Sequence, residues 1–136
     1  MLHLKIITPR KVVIDRQVDS VSVPSVNGEL TILPHHTNLF SLLKEGIIKI
    51  KKGGDEDFLA VGGGYLRTDG ELLNILVSRA YGQSEINQNL TDKAIEEAKK
   101  ILSQSKNAAD KAEATTLLRR SLIDSKLLKK RRARTI

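Results

Sequence analysis

Val18-Asp19-Ser20-Val21-Ser22-Val23-Pro24-Ser25-Val26-Asn27-Gly28-Glu29-Leu30-Thr31-Ile32-Leu33 reads as two short strands facing each other across a tight turn. In Val21-Ser22-Val23 the apolar residues recur every second position, which sends one set of side chains inward and the other to solvent. Asn27-Gly28 tolerates the positive φ that hairpin turns demand. The pattern repeats along the chain, with further apolar runs at Leu2 to Ile7, Val12 to Ile14, Ile47 to Lys51, Phe58 to Val61, Tyr65 to Thr68 and Leu72 to Ser78. Thr8-Pro9, Glu45-Gly46, Gly53-Gly54-Asp55 and Asp69-Gly70 punctuate them as turns. No helical run separates these strands, so a meander of antiparallel pairs is expected rather than βαβ units.

Near Gly82 the period changes. Leu90, Ala94, Ala98, Ile101 and Leu102 recur at helical spacing, with Asn89 as the expected N-cap, Thr91 and Asp92 in the first turn, and an end near Ser103. A polar connection leads to a second helical run through Ala112, Leu117, Leu118, Leu122, Ile123, Leu127 and Leu128. The expected fold is mainly β plus α: a β-sandwich over residues 1–84, then an antiparallel two-helix hairpin over residues 85–136, both helices amphipathic.

Composition narrows the function. Apolar residues make up 40% of the 136 residues and aromatics 3%, so the core must be aliphatic and base stacking has little to work with. Cysteine is absent, which excludes disulfides, thiol nucleophiles and thiolate zinc sites and favours an intracellular chain. The opening residues enter a strand pattern at once, and no leader or membrane span is expected. Residues 1–90 carry ten cations and ten acids, whereas residues 91–136 carry thirteen and six, so the whole net charge of +7 belongs to the tail. Within it Arg119, Arg120, Lys126, Lys129, Lys130, Arg131, Arg132 and Arg134 are interrupted only by Asp124, a pattern that suits an acidic partner.

Motifs for chemistry are weak. Gly62-Gly63-Gly64 is followed by a strand pattern rather than a helix, so it reads as a bulge or close backbone approach and not as a phosphate loop. His35 and His36 are neighbours on extended chain and point apart, so no metal site is expected. Asp55, Glu56 and Asp57 read as a solvated hairpin end, and Asn89-Leu90-Thr91 as a chance glycosylation match. With no nucleophile beside a base, no enzyme activity and no cofactor are expected. A basic arm on a β body leaves one rival reading, a small RNA-binding protein.

The order of the pieces resembles the epsilon subunits of the rotary F-type ATP synthases, nearly end to end. The resemblance is carried by Ile7-Thr8-Pro9, the stretch from Val18 to Pro24, Asn27 to Thr37, Gly46 to Ile50, Ala60 to Leu66 and Ile75 to Val77. It implies a sandwich of about ten strands that attaches to the γ subunit and the ring of c subunits as part of the rotor of a proton-translocating synthase. Glu29, His36, Thr37 and Phe40 become the candidate rotor contacts. The resemblance further implies that the hairpin either folds on the sandwich, where small Ala94 and Ala98 permit close packing, or extends toward the catalytic head. There its cations would meet an acidic loop of the β subunits, with α nearby, and block ATP hydrolysis. Membrane contact would come only through other subunits, on the cytoplasmic face of a bacterial plasma membrane, or the stromal face of the thylakoid for a plastid-encoded chain, with no nucleic acid involved. Some bacterial members bind ATP through Ile or Leu, Asp, two free positions, Arg and Ala. Here Ile86 is followed by Asn87, Leu90 and Thr91 at the last three fixed positions, so no nucleotide site is expected, because an alkyl chain cannot make arginine's bonds to phosphate.

Overall fold

In the computed structural model residues 1–130 are described, and they divide into two compact units, one from Met1 to Gly82 and one from Gln83 to Lys130. The first holds ten strands: β1 (Leu2–Ile7), β2 (Val12–Val18), β3 (Ser20–Ser25), β4 (Gly28–Ile32), β5 (Leu39–Leu43), β6 (Gly46–Lys52), β7 (Asp55–Val61), β8 (Gly64–Thr68), β9 (Leu72–Val77) and β10 (Ala80–Tyr81). They pair in the order β10-β7-β6-β3-β5-β8-β9-β1-β2, with β4 joined to β3. Strand alternation explains the core. Leu2, Leu4 and Ile6 of β1, Val21 and Val23 of β3, Ile48 and Ile50 of β6, and Leu73, Ile75 and Val77 of β9 are all buried in one cluster. Every member of that cluster is Leu, Ile or Val, as the scarcity of aromatics requires.

Three features depart from the sequence pattern. Strand β5 carries apolar residues on both faces, so no two-residue alternation marks it: Leu43 is buried, whereas Phe40 and Leu42 stand outward. Strand β2 runs on through Asp15, Arg16 and Gln17. As an edge strand paired, among the described residues, only with β1 it tolerates, and is protected by, polar residues. His3 bonds Asp15 and Gln17, and Arg16 reaches Asp57 of β7 at 3.4 Å. Third, the sheet is mixed, because β1 runs parallel to β9 from His3↔Leu72 to Ile7↔Leu76. These two strands are distant in sequence, so no hairpin dictates their direction.

Glycine does structural work at the β7–β8 crossing. Gly62 N–H donates to Arg79 O at 3.0 Å and Ser78 N–H to Gly63 O at 3.0 Å. A Cβ on Gly64 would collide with the carbonyl of Leu76, and one on Gly62 with the hydroxyl of Ser78.

The second unit opens with a single 3-10 turn, Gln83–Glu85, then α1 (Gln88–Gln104) and α2 (Ala108–Leu128). The cap of α1 is Asn87 and not Asn89: its backbone is extended, and its side-chain oxygen accepts from Leu90 N–H at 3.1 Å. Asn107 caps α2 in the same way through Ala109 N–H at 2.8 Å. Thr91 and Ala98 of α1 and Ala114, Ser121 and Leu127 of α2 are buried. The second helix lacks the single apolar stripe expected of it, since Leu117 and Leu122 are exposed while Leu118, Ile123 and Leu128 are half-buried.

Candidate docking surface

The register of the strands builds an apolar row across the outer face of the sheet. Val12 opposes Ile7, Ile7 opposes Leu76, Leu76 opposes Tyr65 and Tyr65 opposes Leu42. Paired residues share a face, so these side chains stand in a line. Val26 extends it, since its N–H donates to Leu42 O at 3.0 Å. Val26 is 53% exposed, Leu42 55% and Phe40 60%, and the Phe40 ring leans on Tyr65 with centroids 5.4 Å apart. A shallow groove beside Phe40 is walled by Tyr65, Arg67, Asn74 and Leu76. Ile7 and Leu76 are half-buried within the row, and exposed apolar side chains grouped on a sheet face make it a candidate docking surface.

The loop after β4 is held at the far end of that face by the β8–β9 turn. Asp69 organises the turn: its carboxylate accepts from Leu72 N–H at 2.8 Å and Glu71 N–H at 3.0 Å, and these bonds hold its pKa below the usual carboxylate value. Gly70, at φ +97°, donates to Thr68 Oγ1 at 3.1 Å, and its carbonyl accepts from His35 N–H at 2.8 Å. A Cβ there would stand 2.7 Å from His36 O. His35 itself adopts φ 65°. His36 turns its ring along the loop, Nδ1 donating to Thr37 O at 2.8 Å.

Of the four candidate contacts, the structure gathers three. His36 is half-buried in this loop, Thr37 is exposed beside it, and Phe40 lies just inside β5. Glu29 is exposed but pairs with Pro24 near the opposite end of β4, next to the Val26–Asn27 turn. Leu42, Val26 and Tyr65 were not evident from the sequence. Two outward apolar residues flanking Ser41 were the available signal, and the lack of alternation in β5 hid them.

On α2, Arg119, Arg120 and Lys126 are exposed, as is Lys129 at its cap, while Lys130 is half-buried. Arg131, Arg132 and Arg134 lie outside the described residues. At the start of α1, Asn87 and Thr91 are committed to the helix: Asn87 caps it, and Thr91 Oγ1 donates to Asn87 O at 2.9 Å. Leu90 points to solvent. Among the described residues no group of His, Cys, Asp and Glu could hold a metal, and no helix is long and apolar enough to cross a membrane.

A β-sandwich with an apolar outer row, followed by a basic helical hairpin, is the architecture of a binding module. The profile of the ATP synthase delta/epsilon chain β-sandwich domain matches residues 1–83. The ATP synthase epsilon chain of Halalkalibacterium halodurans is 39% identical over 105 residues, covering 77% of this chain and 79% of that one. That of Herpetosiphon aurantiacus is 32% identical over 133 residues, 98% of each chain. In fold, the protein is similar to a chain of the Euglena gracilis mitochondrial ATP synthase, with a TM-score of 0.78 at 23% identity, covering 86% of this chain and 74% of that one. The chain belongs to the ATP synthase epsilon-chain family, as an accessory subunit of that complex.

Proposed function

We propose that the sandwich is the attachment unit of a central-stalk subunit in a proton-translocating F-type synthase, and that the hairpin restrains ATP hydrolysis. The observation that carries this reading is the outward apolar row from Val26 to Val12, exposed at Val26, Leu42, Tyr65 and Val12 and half-buried at Leu76 and Ile7, with Phe40 at its side, in a family whose members assemble into a rotary machine. A γ-type subunit is the partner that covers the row. The loop of His36 and Thr37, held at one end of the same face, suits contact with the c ring, and Glu29 marks the other end of β4. The protein is peripheral, reaching the cytoplasmic face of the membrane only through other subunits. The cations of α2 suit the acidic loop of the catalytic β subunits, in contacts that weaken with salt. Nucleotide plays no part, since Asn87 and Thr91 are engaged in the helix start and Leu90 offers phosphate nothing. Family membership replaces the RNA-binding reading.

The test is ATP hydrolysis by a matching α, β and γ assembly with no addition, with the full chain, and with a chain ending at Glu85. Binding by both chains with slowing only by the full one is the expected result. A full chain carrying Phe40→Ala and Leu42→Ala binds γ about tenfold or more weakly. Undiminished binding by that variant refutes the docking face, and failure of the full chain to slow hydrolysis refutes the inhibitory role.

A further inference from the structure

Asn27 stands at the tip of the β3–β4 hairpin, where Val26 and Asn27 form the turn and Ser25 faces Gly28. Its backbone N–H donates to Ser25 Oγ at 3.1 Å, and among the described residues its exposed side-chain amide has no hydrogen-bond partner. The next residue is Gly28, at φ +120°, around which a Cβ would meet nothing within 4 Å. No side chain therefore shields the Gly28 nitrogen from the Asn27 amide, and the turn has room to rotate.

The other asparagines are better protected. Asn87 and Asn107 are engaged as helix caps. Asn74 lies within β9 and is followed by Ile75. Asn38 and Asn89 are followed by Leu39 and Leu90, whose branched side chains crowd the reacting nitrogen.

We propose that Asn27 is a site of spontaneous deamidation that ages the docking surface of this subunit. The Gly28 nitrogen, giving its proton to water, forms a bond to Asn27 Cγ. The Cγ–Nδ2 bond then breaks and ammonia leaves, closing a five-membered succinimide. Water opens the ring at Cγ to give aspartate, or at the main-chain carbonyl to give isoaspartate, so one water is consumed and one ammonia released without any change of oxidation state. Either product places a carboxylate beside Val26, which leads the apolar row, and isoaspartate adds an atom to the main chain of a two-residue turn. A charge pressed against an apolar contact loses hydration without gaining a partner. The effect on docking rests on the function proposed above; the chemistry at Asn27 does not.

The experiment ages the full-length chain in warm, mildly alkaline buffer and maps its peptides by mass and by isoaspartyl methyl transfer. Asn27 converts faster than every other asparagine, with isoaspartate the larger product, and an Asn27→Gln chain loses this signal. Conversion of Asn27 no faster than that of exposed Asn38 overturns the site. Fresh, aged and aged Asn27→Gln chains are then titrated with a γ subunit. The aged natural chain binds about tenfold more weakly while the aged variant is unchanged; equal binding by all three overturns the effect on docking. Should the fresh chain not bind γ, the proposed function fails, and the peptide map alone decides the site.

Discussion

Replacing Gln83 by Leu tests how the end of α2 is held. The last carbonyls of a helix have no partners within it and must find them elsewhere. Here Gln83, in the 3-10 turn that precedes α1, donates both hydrogens of its side-chain amide to that end, to Leu127 O and to Lys130 O, each at 2.7 Å. Leu127 O also accepts from Lys130 N–H at 3.0 Å, so it keeps one bond when Gln83 is gone. Two neutral hydrogen bonds contribute about 1 kcal/mol each. Partial access of water to the freed carbonyls reduces the loss to about 1–2 kcal/mol, a roughly 5- to 30-fold rise in the open population of the final turn. Leucine keeps most of the side-chain volume, so the change isolates the bonds. Hydrogen exchange of the amides from Lys126 to Lys130 is the assay, with β1 and β9 amides as internal reference. Faster exchange confined to the end of α2 is expected. Gln83→Glu should do at least as much, because a carboxylate cannot donate to either carbonyl. Unchanged protection in the Leu variant refutes the reasoning.

Asp69→Ala removes a carboxylate whose folded pKa is lowered by the Leu72 and Glu71 N–H bonds. A group of this kind contributes stability above its unfolded pKa, and the contribution is lost as pH falls through the folded value. Melting curves should therefore show the variant below the natural protein at neutral pH and converging with it in strong acid; a constant gap would count against the assignment. Gly64→Ala forces a Cβ onto the Leu76 carbonyl and should cost about 3 kcal/mol in urea unfolding, whereas Gly54→Ala, with open space around it, should cost far less. Charge reversal at the exposed Arg119 and Arg120 should relieve inhibition of hydrolysis while γ binding by the sandwich persists, and the relief should shrink as ionic strength rises. Inhibition that survives the reversal would locate the brake elsewhere.

What the sequence disclosed follows from which signals are local. Alternation in β3, β6 and β9 and the turns at Asn27-Gly28 and Asp69-Gly70 are readable residue by residue, because each strand has one wet face and one dry one. Strand β5 escaped for the reason that makes it interesting: Phe40 and Leu42 put apolar groups on the wet face as well. The parallel pairing of β1 with β9 joins residues about seventy positions apart and leaves no local trace. The misplaced cap at α1 has a simple cause, since Asn87 and Asn89 are equally good capping residues and only the backbone decides between them. The four candidate contacts came from the family resemblance, and β4 carries Glu29 and the His36 loop toward opposite ends.

The second helix bears on the two hairpin positions that the family resemblance implies. A helix with a single apolar stripe has one way to bury it, so leaving its partner exposes everything at once. In α2 the apolar residues are distributed: Ala114 and Leu127 are buried while Leu117 and Leu122 remain in solvent. This packing leaves apolar surface unused, and an alternative that covers Leu117 and Leu122 recovers part of what it gives up. A reversible brake requires two arrangements within a few kcal/mol of each other, and the proposed inhibitory arrangement would draw on this compensation. Leu117→Gln with Leu122→Gln should thus leave the helical content of the free chain nearly unchanged and reduce its inhibition of ATP hydrolysis. Full inhibition by that double variant would mean that these leucines contribute nothing to the inhibitory state, and would leave the cations of α2 to account for it alone.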